Sequence, residues 1–266
     1  MVNASELRKK ALAATKEKVK AAYTGKDSLI VQTVNAIDDL EKIANSLAMR
    51  AREWYSIYFP ELNRTVADHL TYMTLVTTLR TRDKFKADAI KDLTEINPKK
   101  IEDLTVNSMG ADLIEKDLKP ILDYCEKTKE VLEEKEKLEK YLEKLMEEEV
   151  KNINAVAGAK LGGKLIAHTG SLRRLALMPS STIQIIGAEK ALFKHIKSGK
   201  KGPKHGLIFQ SPYISSEKKE VRGKIARAVA AKISMAAKED FFGDKFIGDK
   251  LVKDLEKRIA NIKGNK

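Results

Sequence analysis

Residues 30–62, IVQTVNAIDDLEKIANSLAMRAREWYSIYFPEL, carry the pattern that decides the fold. Ile30, Thr33, Ile37, Leu40, Ala44, Leu47, Ala51, Trp54 and Tyr58 follow one another at steps of three and four without a break, the heptad seam of a helix laid against a second helix. Pro60 closes it, because the residue before a proline avoids helical geometry; a helical pattern resumes through Val66, Leu70, Met73 and Val76. Downstream, Pro98 after Asn97 suits the first turn of a helix, and Gly110 permits a break before a long stretch from Ala111 to about Ala157. In that stretch Ile114, Leu118, Ile121, Cys125, Leu132, Leu138, Leu142 and Leu145 recur at helical spacing, which makes it the expected partner of the first seam. Two such helices predict a stalk on the order of 50 Å long. Pro120 predicts a kink near residues 116–119.

Beyond Gly158 the texture changes to shorter helices separated by glycine and proline. Helices are expected at 159–177, 187–198, 216–241 and 249–262. Thr182–Ile186 and Leu207–Gln210 read either as short strands or as buried extended connectors. The expected class is all-α: a long antiparallel coiled-coil stalk followed by a compact helical domain. Residues 1–29 form a helical lead-in or linker, 30–154 the coiled coil with its dimerisation seam, and 155–266 the compact domain. Ile37, Leu40, Leu47, Leu118 and Leu132 are the seam positions expected to support pairing of two chains.

Charge divides the chain sharply. Residues 1–150 hold 26 Lys+Arg against 29 Asp+Glu, a net of −3, and residues 151–266 hold 25 against 9, a net of +16. Residues 160–210 contain Lys160, Lys164, Arg173, Arg174, Lys190, Lys194, Lys197, Lys200, Lys201 and Lys204 beside a single acid, Glu189. A local excess of this kind attracts a polyanion, because each neutralised phosphate releases condensed counterions. A surface kept soluble by charge would mix the two signs, as residues 1–150 do.

Chemical centres are harder to find. Cys125 is the only cysteine, so it has no thiol partner for a disulfide or a metal, and its setting in a helical pattern gives it a packing role in a reduced compartment. Gly158 to Leu165 matches the G-x4-G-K part of a phosphate loop, but Leu165 replaces the hydroxyl that would hold magnesium, and a charged helix rather than a strand precedes it. Close packing through Gly162, Gly163 and Gly170, where another backbone approaches, is the plainer reading. His69, His168, His195 and His205 are too scattered to suggest a zinc site. No catalytic residue, cofactor or metal is therefore expected. Neither a signal peptide nor an apolar run long enough for a membrane span is visible, so a soluble, non-secreted chain without membrane contact is expected.

Three pieces of the basic region suit RNA. The turn Met178, Pro179, Ser180, Ser181, Thr182 offers small hydroxyls and backbone donors for phosphate or sugar. Gly187, Ala188, Glu189 and Lys190 begin a short helix whose exposed amides favour an anion, with Lys190, Lys194 and Lys197 following on one face. The loop from Lys200 to Gly206 sets His205 among Lys200, Lys201 and Lys204, where the imidazole could stack on an unpaired base. Lys224, Arg227 and Lys238 add positive charge along the helix 216–241, and alanines at 226, 228, 230 and 231 leave room for a partner. Arg173 and Arg174 are further candidates.

The phrases GAKLGGKLIAHTGSLRRLALMPSSTIQIIGAEKALFKHIKSGKKGPKHGLIFQSP (158–212) and KIARAVAAKISMAAKEDFF (224–242) closely resemble the Nop domain family. AREWYSIYFPEL (51–62) and NSMGADLIEKDL (107–118) are similar to the coiled-coil portion of the same family. Members include the archaeal and nucleolar Nop proteins of box C/D ribonucleoproteins and a spliceosomal Prp protein. The resemblance implies a non-enzymatic scaffold for RNA-guided 2′-O-methylation, self-association through the coiled coil, and joint binding of a kink-turn guide RNA with a small ribosomal-type kink-turn-binding protein. It places RNA-facing positions on Met178 to Thr182, Lys190, His205, Arg227 and Lys238, and a partner-protein contact on Ala188, Glu189 and Lys190. Only about 30 residues precede the first heptad, so the N-terminal domain through which the family holds fibrillarin is expected to be missing. Without a lysine- and acid-rich tail the chain resembles the archaeal branch, implying a cytoplasmic location; a eukaryotic member would be nucleolar. The alternatives are a splicing-type member bound to a small nuclear RNA, and a coiled-coil adaptor that binds only proteins.

Overall fold

The computed structural model describes residues 4–199 and 202–264; among them there is no strand, and no helix is long and apolar enough to cross a membrane. The helices are α1 (Ala4–Thr24), α2 (Asp27–Tyr55), α3 (Pro60–Thr65), α4 (His69–Leu79), α5 (Ala87–Ile90), α6 (Pro98–Val106), α7 (Glu115–Glu149) and α8 (Lys151–Ala157). They continue with α9 (Ala159–Thr169), α10 (Leu172–Leu177), α11 (Ser180–Ile185), α12 (Glu189–Ser198), α13 (Pro212–Ser215), α14 (Arg222–Phe242) and α15 (Gly248–Gly264). The chain divides into two compact units, one of residues 36–138 and one of the residues on either side of it.

The 36–138 unit is built on aromatic packing. Tyr55, Phe59, Tyr72 and Phe85 are fully buried beside Leu62, Met73, Ile90 and Ile101. Their rings meet edge to face, Tyr55 against Tyr58 at 5.7 Å and Phe59 against Phe85 at 5.3 Å, the arrangement favoured by the ring quadrupole. Leu118, Ile121 and Cys125 of α7 close this core from the other side. Burial pushes the Cys125 thiol up to about 12, as expected for a packing cysteine. Arg52 is also buried, and its guanidinium donates to Asn63 Oδ1 at 2.7 Å, to the Asn63 carbonyl at 2.9 Å and to the Val66 carbonyl while lying 4.3 Å from the Tyr72 ring centre. One side chain thereby satisfies carbonyls that the α3–α4 connection leaves unpaired. Gly110 has no room for a side chain, since a Cβ there would stand 1.9 Å from the Tyr58 carbonyl oxygen.

The single seam expected on α2 resolves into two. Ile30, Thr33, Val34, Ile37, Ala44, Ala48, Ala51 and Tyr55 are buried, so the inner seam keeps 30, 33, 37, 44 and 51 and also takes in 34, and it runs through 48 and 55 rather than 47 and 54. Leu40 and Leu47 are half-buried, and with the exposed Ile43, Trp54 and Ile57 they follow a second line at steps of three, four and seven residues. Two apolar lines one residue apart cannot be separated by periodicity. The long helix also differs from expectation. It starts at Glu115, holds Pro120 within its second turn and ends at Glu149 instead of near Ala157. Val150, with φ −138° and ψ 56°, interrupts it. The new start of α8 is held from far along the chain: Asp240 accepts from the Asn152 and Ile153 amides at 3.0 and 2.8 Å. Burial raises the Asp240 pKa, and these bonds oppose the rise.

In the other unit α14 is central. Ile225, Val229 and Ile233 are buried, each contributing about 1.5–3 kcal/mol by removal from water. Ala226, Ala228 and Ala230 are buried with them, so these alanines give room to the chain's own helices rather than to a partner. The helix expected at 159–177 is two. Gly170 adopts φ +83°, the left-handed conformation that ends α9, and Ser171 caps α10 by accepting from the Arg174 amide. Gly162 and Gly163 make space for side chains, not for a backbone: an added Cβ would meet Ile153 at 2.7 Å and Val34 at 3.0 Å respectively. Both glycines lie inside α9, which removes any phosphate loop there. Residues 182–186 are neither strand nor extended connector; they lie largely in α11, because Ile183 and Ile186, three apart, must both face inward. Leu207–Gln210 is a 3₁₀ turn. α14 begins at Arg222 rather than 216, since Glu217 to Glu220 offer nothing apolar to bury.

Candidate nucleic-acid interface

The three basic pieces picked out in the sequence converge, and backbone hydrogen bonds bring them together. Gly206 donates to the Gln184 carbonyl at 2.9 Å and Leu207 to the Ile186 carbonyl at 2.7 Å, while the Gln184 side-chain amide donates to the Lys204 carbonyl at 2.7 Å. The approach is so close that a Cβ on Gly206 would stand 1.9 Å from the Ile186 oxygen. These bonds fasten the His205 loop to the segment that leads into α12. Gly187, with φ +81°, turns the chain between them.

α14 supplies the other attachment. The Lys204 stem lies over Gly223, and the His205 ring stacks on Phe209 at 4.6 Å with 13° between planes. The Arg222 guanidinium sits 5.1 Å from the centre of the Phe209 ring. His205 is thus a held platform and not a loose loop residue. Burial, then the charges of Arg222 and Lys204, lower its pKa and keep it neutral near physiological pH. At the middle of α14, the Ser234 hydroxyl donates to the Met178 carbonyl at 3.5 Å. Of the expected turn, Met178 and Pro179 are extended, whereas Ser180, Ser181 and Thr182 form the first turn of α11, with Ser181 and Thr182 exposed.

At the start of α12, Glu189 accepts from the Gly187 amide at 2.7 Å and contacts His168 Nε2 at 2.9 Å. Partial burial would raise its pKa, but these hydrogen bonds outweigh burial and hold the carboxyl below its usual range. Ala188 is half-buried; Glu189, Lys190 and Lys194 are exposed. α12 buries no residue, leaving Phe193 61% and Ile196 68% exposed beside the lysines. Arg227 and Lys238 are exposed on α14 and Lys204 on the loop. Arg173 and Arg174 are exposed on α10 and take no part in the hydrogen bonds that join the other pieces. Lys200 and Lys201 lie outside the described residues. His168 and Arg222 were not recognisable as part of this surface, because they act on residues 21 and 13 positions away, and Phe209, four residues from His205, carries no charge to mark it. Among the described residues no group of histidines, cysteines and carboxylates could hold a metal ion.

A family model described as "Nop: snoRNA binding domain, fibrillarin" matches residues 36–261. The chain belongs to the Nop family. Its relatives include an uncharacterized NOP5 family protein of Methanocaldococcus jannaschii, 44% identical over 250 residues, which covers 94% of this chain and 60% of the relative. Human nucleolar protein 56 is 35% identical over 92% of this chain and 43% of its own length. This Nop chain therefore spans roughly half the length of the curated relatives it matches. Among solved structures, a chain in the crystal structure of a fibrillarin/Nop5p complex matches with a TM-score of 0.54 and 25% identity, covering 97% of this chain and 78% of that one.

Proposed function

We propose that this chain is an RNA-binding scaffold of a box C/D ribonucleoprotein that guides 2′-O-methylation, with the methyl transfer belonging to fibrillarin and not to this chain. The observation that carries the reading is the joining of the His205 loop, the α12 start and the α11 start around α14 within one strongly basic unit. Phosphates would meet Lys190, Lys194, Lys204, Arg227 and Lys238, and the hydroxyls and amides at Ser180 to Thr182 would fix register. His205, neutral and backed by Phe209, suits stacking on an unpaired base. The expected ligand is a kink-turn RNA, bound together with its primary kink-turn-binding protein. Ala188, Glu189 and Lys190 would touch that protein, with Phe193 and Ile196 extending the contact.

Self-association falls to the outer line of α2. Ile37 and Leu118 are buried in the chain's own fold, and Leu132 is partly so, whereas Leu40 and Leu47 lie with the exposed Ile43, Trp54 and Ile57. Gel-shift titration with a kink-turn RNA, with and without its primary binder, tests the RNA reading. A shift that tightens when the binder is added is expected; no shift in either mixture at micromolar protein defeats it.

A further inference from the structure

α14 carries an exposed stripe that charge alone does not explain. At about 100° per residue, Lys224, Arg227, Ala231, Met235, Lys238 and Phe242 fall within an arc of about 80°. All but the half-buried Ala231 are exposed, and no carboxylate shares the arc. The two large apolar side chains among the cations are Met235, 48% exposed, and Phe242, 65% exposed. Phe242 is held edge to face by Phe241 at 4.7 Å and 87°, so its ring is oriented before any ligand arrives. Ser234, whose hydroxyl bonds Met178, borders the stripe and brings the α11 start alongside it.

An exposed methionine or phenylalanine is ordinary when solitary. Here two alternate with three cations along one helix face, which is the pairing of backbone-tracking charge and ring platform that single-stranded nucleic acid binders use. We infer that Met235 and Phe242 are base contacts for an unpaired RNA segment running along α14, with Lys224, Arg227 and Lys238 holding its phosphates. The seven-residue interval sets the two side chains about 10 Å apart along the axis, so each serves a separate base. This rests on the RNA reading above and adds to it an apolar, strand-selective component.

The test compares the full chain with M235A, F242A, F242W and the double variant R227A/K238A. Each is titrated with an RNA duplex carrying a bulge of unpaired purines and with its fully paired counterpart, circular dichroism verifying that each variant is folded. F242A is expected to weaken binding of the bulged RNA about 5- to 100-fold, the range of one base stacked on an aromatic ring, with the salt slope unchanged. F242W should restore it, M235A should cost less than F242A, and neither alanine variant should change binding of the paired RNA. R227A/K238A should weaken both RNAs and flatten the salt slope. If M235A and F242A bind the bulged RNA as the parent does while R227A/K238A does not, the inference is overturned and the stripe is a charge track or a face for another protein. If the parent chain binds neither RNA, and no kink-turn RNA with or without its primary binder, the RNA reading itself has failed.

Discussion

The two units stabilise themselves by different means. In residues 36–138 large aromatic rings fill the core and a buried arginine supplies hydrogen bonds to a connection that cannot satisfy itself. In the other unit the central helix is lined with alanines and β-branched residues, so neighbouring helices approach closely and their starts are held by long-range hydrogen bonds. The first arrangement leaves balanced charge outside a closed core. The second brings short basic segments together around one helix. A core of small residues is what lets many helix starts and loops meet at one place, and this is where the candidate interface lies.

That contrast can be broken most forcefully at Arg52. Arg52→Ala should destabilise the chain by about 3 kcal/mol, because the Asn63 and Val66 carbonyls lose their donor. Thermal unfolding reads the loss. RNA affinity of the still-folded protein should be unchanged, since the site belongs to the other unit; a parallel loss of affinity would show that the contrast is false.

Gly206→Val is the converse. Its side chain would collide with the Ile186 carbonyl and release the His205 loop from the α12 start. RNA affinity should fall at least tenfold while stability falls by about 1–3 kcal/mol, separable by titration and by denaturant unfolding. Replacing Lys190 and Arg227 with alanine comes next. Both are exposed, so stability should move by less than about 0.5 kcal/mol, while the slope of log affinity against log salt shrinks by about 1.5.

The smallest effect is at His205. Its folded pKa lies below the unfolded value, so its contribution to stability is intact above about pH 6.5 and is lost as pH falls through that value toward the folded pKa. Comparing the parent with His205→Gln between about pH 5 and pH 7.5 should show a shallower acid loss in the variant. An identical slope would mean that neither burial nor the charges of Arg222 and Lys204 lower the pKa of this ring.

The helical class, a break in the helix before Pro60 and the location of the excess charge were legible in the sequence, because each depends on neighbours within a few residues; α2 itself ends earlier, at Tyr55. Boundaries failed where a distant group decided them. Asp240 starts α8 from 88 positions away, and inward packing on α14 turns residues 182–186 into helix against their β-branched character. The candidate site shows the same division. Lys190, Arg227 and Lys238 stood out by type and spacing, yet nothing local pointed to Arg222 beside the ring of Phe209 that His205 stacks on, or to His168 as the contact of Glu189.

What the sequence determined by itself is what periodicity and composition encode: helices, their rough order, a basic second part and membership of a family through long matched phrases. Only the tertiary structure decided which of two adjacent apolar lines on α2 is core, which alanines of α14 face inward, and which basic segments share a surface. Those outcomes depend on which distant side chain occupies the space, and hydrogen bonds between residues 20 to 90 positions apart leave no periodic trace.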